Sequence, residues 1–438
     1  MQFDADATGA PAGRTDVSPA ASEDLGRGSP RAIAAGFRPA SLDALNLLLA
    51  DVRGALGPYL NVFLVTEQHW SQSEVGLVTT VGGLLGLAVQ TPIGAAIDAT
   101  RRKRALVVAA LVVLAIGGAA IAAFPAFWPV MVANALTAIV GDVFGPAVAA
   151  LTLGLYARQA IARRLGRNAA FDHAGNVMIA LVAGAVGALV SQRAVFLLAP
   201  LCAAAAIVAT LSIPAAAIDH ETARGARDVA SDREPDEPPS GLRVLLTCRP
   251  LLVFAGCAML FHFANAPLLP LVGQKLALAN RDWATPMMSA CIIAAQLVML
   301  PLALLVGHRA DQWGRKPLLF AAFLVLPVRA VLYTLSDAPA WLIGVQVLDG
   351  VGAGLLGALT PLVVADLTRG TGRFNVSQAA LATVQGLGAS ASGLAAGLVV
   401  DRFGYTTGFL GLGAVSLAAL ALLAFGMPET GPSKAEER

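Results

Sequence analysis

Long apolar stretches separated by short polar breaks fill almost the whole chain. Twelve of them fall at roughly 40–66, 73–97, 104–124, 127–156, 169–191, 194–217, 250–277, 284–309, 317–336, 340–367, 376–400 and 405–426. An apolar run of about 20 residues crosses a bilayer as a helix, because every backbone polar group must be satisfied internally there. The predicted fold class is therefore an all-α membrane protein with twelve transmembrane helices. One longer polar stretch, Asp219 to Ser240, carries Arg224, Arg227, Arg233, Glu234, Asp236, Glu237 and three prolines. It divides the spans six and six, so the expected units are a disordered tail (1–39), a first half (40–217), a linker (218–249), a second half (250–426) and a short tail (427–438).

The two halves repeat one another. The loop after span two reads Gly94-Ala-Ala-Ile-Asp98-Ala-Thr-Arg101-Arg102-Lys103-Arg104, and the loop after span eight reads Gly307-His-Arg-Ala-Asp311-Gln-Trp-Gly314-Arg315-Lys316-Pro317. Arg163-Arg164-Leu-Gly166-Arg167-Asn168 before span five echoes Arg369-Gly-Thr-Gly372-Arg373-Phe-Asn375 before span eleven, and Gly57-Pro58-Tyr59-Leu60 echoes Ala266-Pro267-Leu268-Leu269. These loops resemble the signature of the major facilitator superfamily: Gly, three residues, Asp, a basic residue, any residue, Gly, then basic residues. The second copy fits well, with Gln312 in place of a basic residue; the first has Ala99 and Arg101 where a basic residue and a glycine are usual. The resemblance covers about residues 40–430. It implies two pseudo-symmetric six-helix halves, parallel repeats about an axis along the membrane normal, and a secondary transporter rather than an enzyme.

That resemblance also implies roles for the loops. Gly94 and Gly307 would let neighbouring helices approach. Asp98 would face the start of span eleven near Asn375, and Asp311 the start of span five near Asn168, where a carboxylate is favoured by the helix dipole. With Arg102, Gly314 and Arg315 these form the expected gates. Asp172 and His173 lie near the Asp311 gate.

Composition narrows the rest. Hydrophobic residues make up 57% of the 438, charged residues 13% and the net charge is +2, so a soluble α-helical protein is a poor fit. Cys202, Cys248, Cys257 and Cys291 lack paired spacing and read as small hydrophobes. No nucleotide-binding Gly-rich loop with Lys-Ser or Lys-Thr occurs. Basic residues crowd one set of short loops (Arg101 to Arg104; Arg158, Arg163, Arg164, Arg167; Arg315, Lys316; Arg369, Arg373), whereas the other carries Arg193, Lys275, Arg281 and Arg402. The first side, with both termini, is expected to be cytoplasmic in the inner (plasma) membrane.

Charges inside the spans are the candidate chemistry. Asp51 and Arg53 sit at the centre of span one, where a charged side chain costs about 2.5–3.5 kcal/mol and so faces a cavity or partner. Two residues apart is about 200° of helix rotation, so they do not share a face. Arg53 needs an acidic partner or an anionic substrate, and Asp51 suits a proton carrier. Spans one, four, seven and ten line the cavity in the superfamily, which adds Tyr59, Asn134, Asp142, His262, Asn265, Gln346 and Asp349 to the substrate- and proton-binding set. A histidine titrates near neutrality and could share in proton movement. Arg329 in span nine lies outside the lining set and reads as half of a structural ion pair.

Span four lacks the Arg, and span five the Gly-Pro element, of the superfamily's drug exporters; Pro428-Glu429-Thr430 only loosely echoes a sugar-porter signature. The working expectation is a proton-coupled secondary transporter of a small organic solute, with export ahead of import. Alternatives are an organic-anion uptake carrier using Arg53 as counter-ion, a metal-ion carrier using Asp51, Asp142 and His262, and a sensor or scaffold on the same fold. The expected partners are a small-molecule substrate, protons and the lipid bilayer, with no nucleic acid, no cofactor, no resident metal and a monomeric state.

Overall fold

The computed structural model describes residues 29–50, 56–220, 223, 243, 245–246, 248–369 and 373–431. Among them, ten helices are long and apolar enough to cross a membrane. The last of these, within Phe374–Gly426, turns back on itself at Gly404 (φ 80°, ψ 170°) and so crosses twice. The shorter apolar helices Pro39–Leu49 and Leu56–Thr66 make the first crossing, which completes twelve.

Spans two to five are the helices Gln72–Ala99, Lys103–Ala123, Phe127–Leu155 and Arg158–Leu189; span six is Leu198–Leu211 after a 3-10 turn. Span two starts at a capping box: Ser71 Oγ accepts from the Glu74 N–H at 3.2 Å, and Glu74 returns a carboxylate to the Ser71 N–H at 2.8 Å. Span seven is broken into Arg249–Asn265 and Leu268–Ala279, because Pro267 lacks the N–H that would continue the helix. Span ten is broken at Gln346, into Pro339–Val345 and Val347–Leu367. Spans eight and nine are Ala284–Trp313 and Arg315–Leu335.

Each half has its own hydrophobic core, and a third cluster joins them, with Tyr59, Val62 and Ala183 of the first half against Ala284, Met288 and Ile292 of the second. This cluster lies on the side away from the two signature loops, called the outer side below. Glycines bring the halves into backbone contact there: a Cβ on Gly76 would overlap the Gly393 carbonyl, and one on Gly397 the Gln72 carbonyl. The seam runs inward to Gly386 against Leu87 and to His173 Nδ1, 2.8 Å from Gln296 Oε1. Toward the signature loops the described residues are more open. A Cβ on Gly94 or Gly307 would meet no atom within 4 Å, and the Asp311 side chain is 71% exposed. The described backbone contacts between the halves therefore lie on the outer side. Large apolar side chains such as Leu189, Val208 and Phe425 face outward, as a lipid-facing wall requires.

Two expected boundaries shift. Part of the stretch assigned to a disordered tail is docked: Ser29 N–H donates to Leu155 O at 2.8 Å, and Phe37 stacks edge-on against Tyr156 at 5.8 Å between ring centres. Apolar Ala32 and Phe37 are buried there, which anchors the segment on the end of span four. The last described residues are also held, as set out below.

Candidate functional site

Three of the expected cavity residues gather instead around one buried arginine. Arg329 of span nine is 1% exposed and pairs with Asp349 of span ten at 2.5 Å. Its guanidinium also donates to Asn265 Oδ1 at 2.6 Å and to the Tyr333 hydroxyl at 2.9 Å. Tyr333 donates onward to Gln346 Oε1. Asn265 and Gln346 stand at the breaks in spans seven and ten, where freed backbone bends their side chains to the same point. A buried pair is tolerated when additional hydrogen bonds support it; here Asn265 and Tyr333 serve Arg329, although Arg329 Nη2 is buried without a partner among the described residues. Asp349 is thus neutralised, and Asn265 and Gln346 are engaged, within the second half. His262 stands apart: its Nδ1–H donates to Ala258 O at 2.9 Å, one turn back on its own helix.

The first half carries the open carboxylate. Asp142 of span four lines a 330 Å³ cavity together with Gly57, Asn134, Thr137 and Gly141, closed by apolar side chains such as Leu114 and Phe196. Asp142 is half-buried, and its carboxylate has no hydrogen bond or ion pair among the described residues. Asn134 is less free, since its Nδ2 donates to Val78 O at 3.0 Å and ties span four to span two. Asp51 and Arg53 lie outside the described residues, between Leu49 and Leu56. Tyr59 serves the seam: its hydroxyl is 2.7 Å from Ser289 Oγ in the opposite half. A second cavity, of 250 Å³, lies between spans one, two, seven and eleven and shares Gly57 with the first.

The outer side is fastened by a residue that sequence reasoning passed over. Asp401, at the end of span eleven, accepts from the backbone N–H groups of Gln72 at 2.9 Å and Ser73 at 2.7 Å, at the N-terminus of span two. Unpaired N–H groups and the helix dipole both favour an anion there. Gln72 Nε2 also donates to the Tyr405 hydroxyl at 2.9 Å. Asp401 belongs to Gly397-Leu-Val-Val-Asp401-Arg402-Phe-Gly404, a third instance of the signature spacing that lacks the trailing basic pair. Gly404 even has the φ of 80° that matches 85° at Gly314. Inverted three-helix repeats nested in each half put such a copy on the opposite face, so the signal was present in the sequence.

At the second signature loop the contacts described for Asp311 and Arg315 stay within the second half. Asp311 pairs with its own Arg315 at 2.7 Å, and Arg315 reaches Asp366 of span ten at 3.1 Å. Asn168, expected to face Asp311, is held by Arg164 at 2.8 Å and Thr152 at 2.9 Å. Arg164 and Arg167 both pair with the buried Asp43 at 2.7 Å. Among the described residues Asp311 and Asn168 thus have other partners and form no contact with one another. The side chains of Asp98 and Asn375 fall outside the described residues.

The first loop also holds one extra residue. Span three starts at Lys103 as span nine starts at Arg315, so the buried Lys103 takes Arg315's place and Arg102 becomes an exposed cap. Lys103 Nζ donates to Ile97 O at 2.6 Å. Glu429, past span twelve, accepts from the backbone N–H groups of Arg315 at 2.7 Å and Lys316 at 3.0 Å, and Gly314 provides the turn between spans eight and nine. Burial pushes the Glu429 carboxyl up, but N–H donors from Gly431, Arg315, Lys316 and Thr430 outweigh it and hold the group below its ordinary value.

Twelve crossings in two repeated halves find their counterpart in known proteins. The sequence profile of the Major Facilitator Superfamily matches residues 44–326 and 251–438. The chain belongs to this superfamily. It is 49% identical over 393 residues to an uncharacterised MFS-type transporter of Mycobacterium tuberculosis, covering 89% of this chain and 93% of that one. A putative sugar efflux transporter of Deinococcus radiodurans is 26% identical over 390 residues, covering 86% and 95%. A solved nucleoside transporter, NupG, superposes with a TM-score of 0.69 at 14% identity, over 88% of this chain and 98% of that one. As a superfamily member the chain is a multi-pass membrane transporter. Among the described residues, Asp349 of the second half is neutralised by Arg329, whereas Asp142 of the first half lines its cavity without an ion pair.

Proposed function

We propose that this protein is a secondary active transporter that moves a small organic solute by alternating access, coupled to protons through Asp142, in the direction of export. The observation that carries the reading is the carboxylate of Asp142, lining a cavity without a partner among the described residues, while Asp349 is neutralised by Arg329. A carboxylate in such a wall can change its protonation without breaking an ion pair. The crowding of basic residues in the signature-side loops supports a cytoplasmic placement of that side and of both termini in the plasma membrane. The described state is then cytoplasm-facing, with Asp401 and the Tyr59–Ser289 contact closing the outer side and a single chain forming the whole path. Asp98 and Asp311 would take the role of Asp401 when the halves rock the other way. The likeness to a putative sugar efflux transporter favours export.

Proteoliposomes carrying the purified protein test the coupling. An imposed pH gradient should drive accumulation of a transported solute, and Asp142→Asn should abolish the response to the gradient while leaving exchange of labelled for unlabelled solute. Accumulation that ignores the gradient, or an Asp142→Asn protein that still follows it, sinks the proposal.

A further inference from the structure

We infer that the 250 Å³ cavity on the seam is a binding site for a small, uncharged, hydroxyl-bearing solute, held by Asn61 of one half and Gln274 of the other. The inference rests on the transport reading and supplies its substrate class. Both side chains line the cavity, at 7% and 2% exposure, and the amide oxygen of each is buried without a hydrogen-bond partner among the described residues. Buried polar groups are nearly always matched, so an unmatched amide on each side of one cavity marks a polar requirement that the described side chains leave open.

The chemistry of that occupant follows from the lining. A carboxamide offers both an acceptor oxygen and an N–H₂ donor, and a hydroxyl group answers either. Among the described residues, no Asp, Glu, Lys, Arg or His lines the cavity. A charged solute would therefore lose its water without gaining a counter-ion, which is heavily disfavoured in a poorly polar space. Pro58, Pro267 and Pro270 add flat apolar surface against which the C–H face of a ring compound can rest. Hydroxyl groups on an apolar ring, with no net charge, satisfy all three conditions.

Position ties the site to the rest of the machine. Gln72 both lines the cavity and is held by Asp401 and Tyr405, so the outer closure sits directly over the site. Gly57 lines this cavity and the Asp142 cavity alike, and a Cβ there would meet no atom within 4 Å. Gly57, which has no side chain, is thus a wall common to both cavities.

The test uses the purified full chain in nanodiscs and isothermal calorimetry with glucose, xylose and uridine, against gluconate and glucosamine as charged partners of glucose. At least one neutral compound should bind, and gluconate and glucosamine at least tenfold more weakly than glucose. Asn61→Ala and Gln274→Ala should each weaken that binding about tenfold or more, and Asn61→Gln should recover part of it, which a merely misfolded variant would not. Charged and neutral compounds binding alike, no neutral compound binding at all (a cavity for water only), or an unaltered affinity in the Asn61→Ala/Gln274→Ala protein would overturn the inference. Gradient-free exchange of labelled solute separates the two readings. Binding without exchange removes the transport reading and keeps the site; gradient-driven flux that survives the double substitution removes the site and keeps the transporter.

Discussion

Asp401 of span eleven accepts a 2.7 Å hydrogen bond from the backbone N–H of Ser73 in span two, and this contact fastens one half of the protein to the other. It places a carboxylate on a helix N-terminus across the seam, the arrangement expected of Asp98 and Asp311 on the far side. Asp401→Asn keeps the shape and removes the charge. It should weaken the closed outer side by about 1 kcal/mol, a shift of roughly fivefold in the balance of states. Spin-label distances between the outer ends of spans two and eleven should broaden toward longer values; an unchanged distribution would show that the seam holds without Asp401.

Gly76 tests the same closure by shape alone. Its Cβ position is occupied by the backbone of Gly393 and Leu394, which cannot yield as a side chain could. Gly76→Val should hold the outer ends apart, raising thiol labelling of a cysteine placed at Gln72 and lowering transport. Labelling no faster than in the parent with the same cysteine would count against backbone contact as the basis of the seal.

The Arg329–Asp349 pair separates structure from chemistry. Arg329→Met strands a buried carboxylate and should cost about 3–5 kcal/mol, whereas Arg329→Met with Asp349→Leu should recover most of that loss. Thermal unfolding of the purified proteins reads both. A stable double variant that still transports identifies the pair as a strut. One that folds but no longer transports would assign the pair to the solute instead.

Glu429 gives a pH signature outside the membrane. Its carboxyl is held below the ordinary 4.5, so the stabilisation is complete above that value and disappears as pH falls through the lower folded-state value. Glu429→Gln should therefore lower Tm near pH 7 by roughly 1–2 °C, a small effect because the group is largely solvated. The gap between parent and variant should close below pH 4. A gap that persists in acid would mean that the side chain acts through packing rather than charge.

Hydropathy made the twelve crossings and the two halves legible, since a span must be apolar throughout its length whatever it packs against. It also placed Asn265, Gln346 and Asp349 on the right helices, but not on the right neighbours. Their assembly depends on Arg329, whose direction is a tertiary fact. Arg102 and Lys103 could not be told apart in the first loop, because one extra residue moves the start of span three without altering the local composition. Asn61 and Gln274 carry no charge to mark them in an apolar run, and only burial without a partner sets them apart. Asp401 was readable through its Gly397 and Gly404 spacing, which repeats the loop pattern on the other face.

Spans eleven and twelve are joined at one non-helical glycine, Gly404, within the stretch Phe374–Gly426. Asp401 lies three residues before that turn and Glu429 just past the stretch's far end, so one stiff hairpin reaches from the outer clasp to the collar on span nine. Such a hairpin has no slack to absorb a displacement. When the outer clasp lets go, span twelve must travel with span eleven, and the collar end of the lever registers on one face of the membrane what has been released on the other.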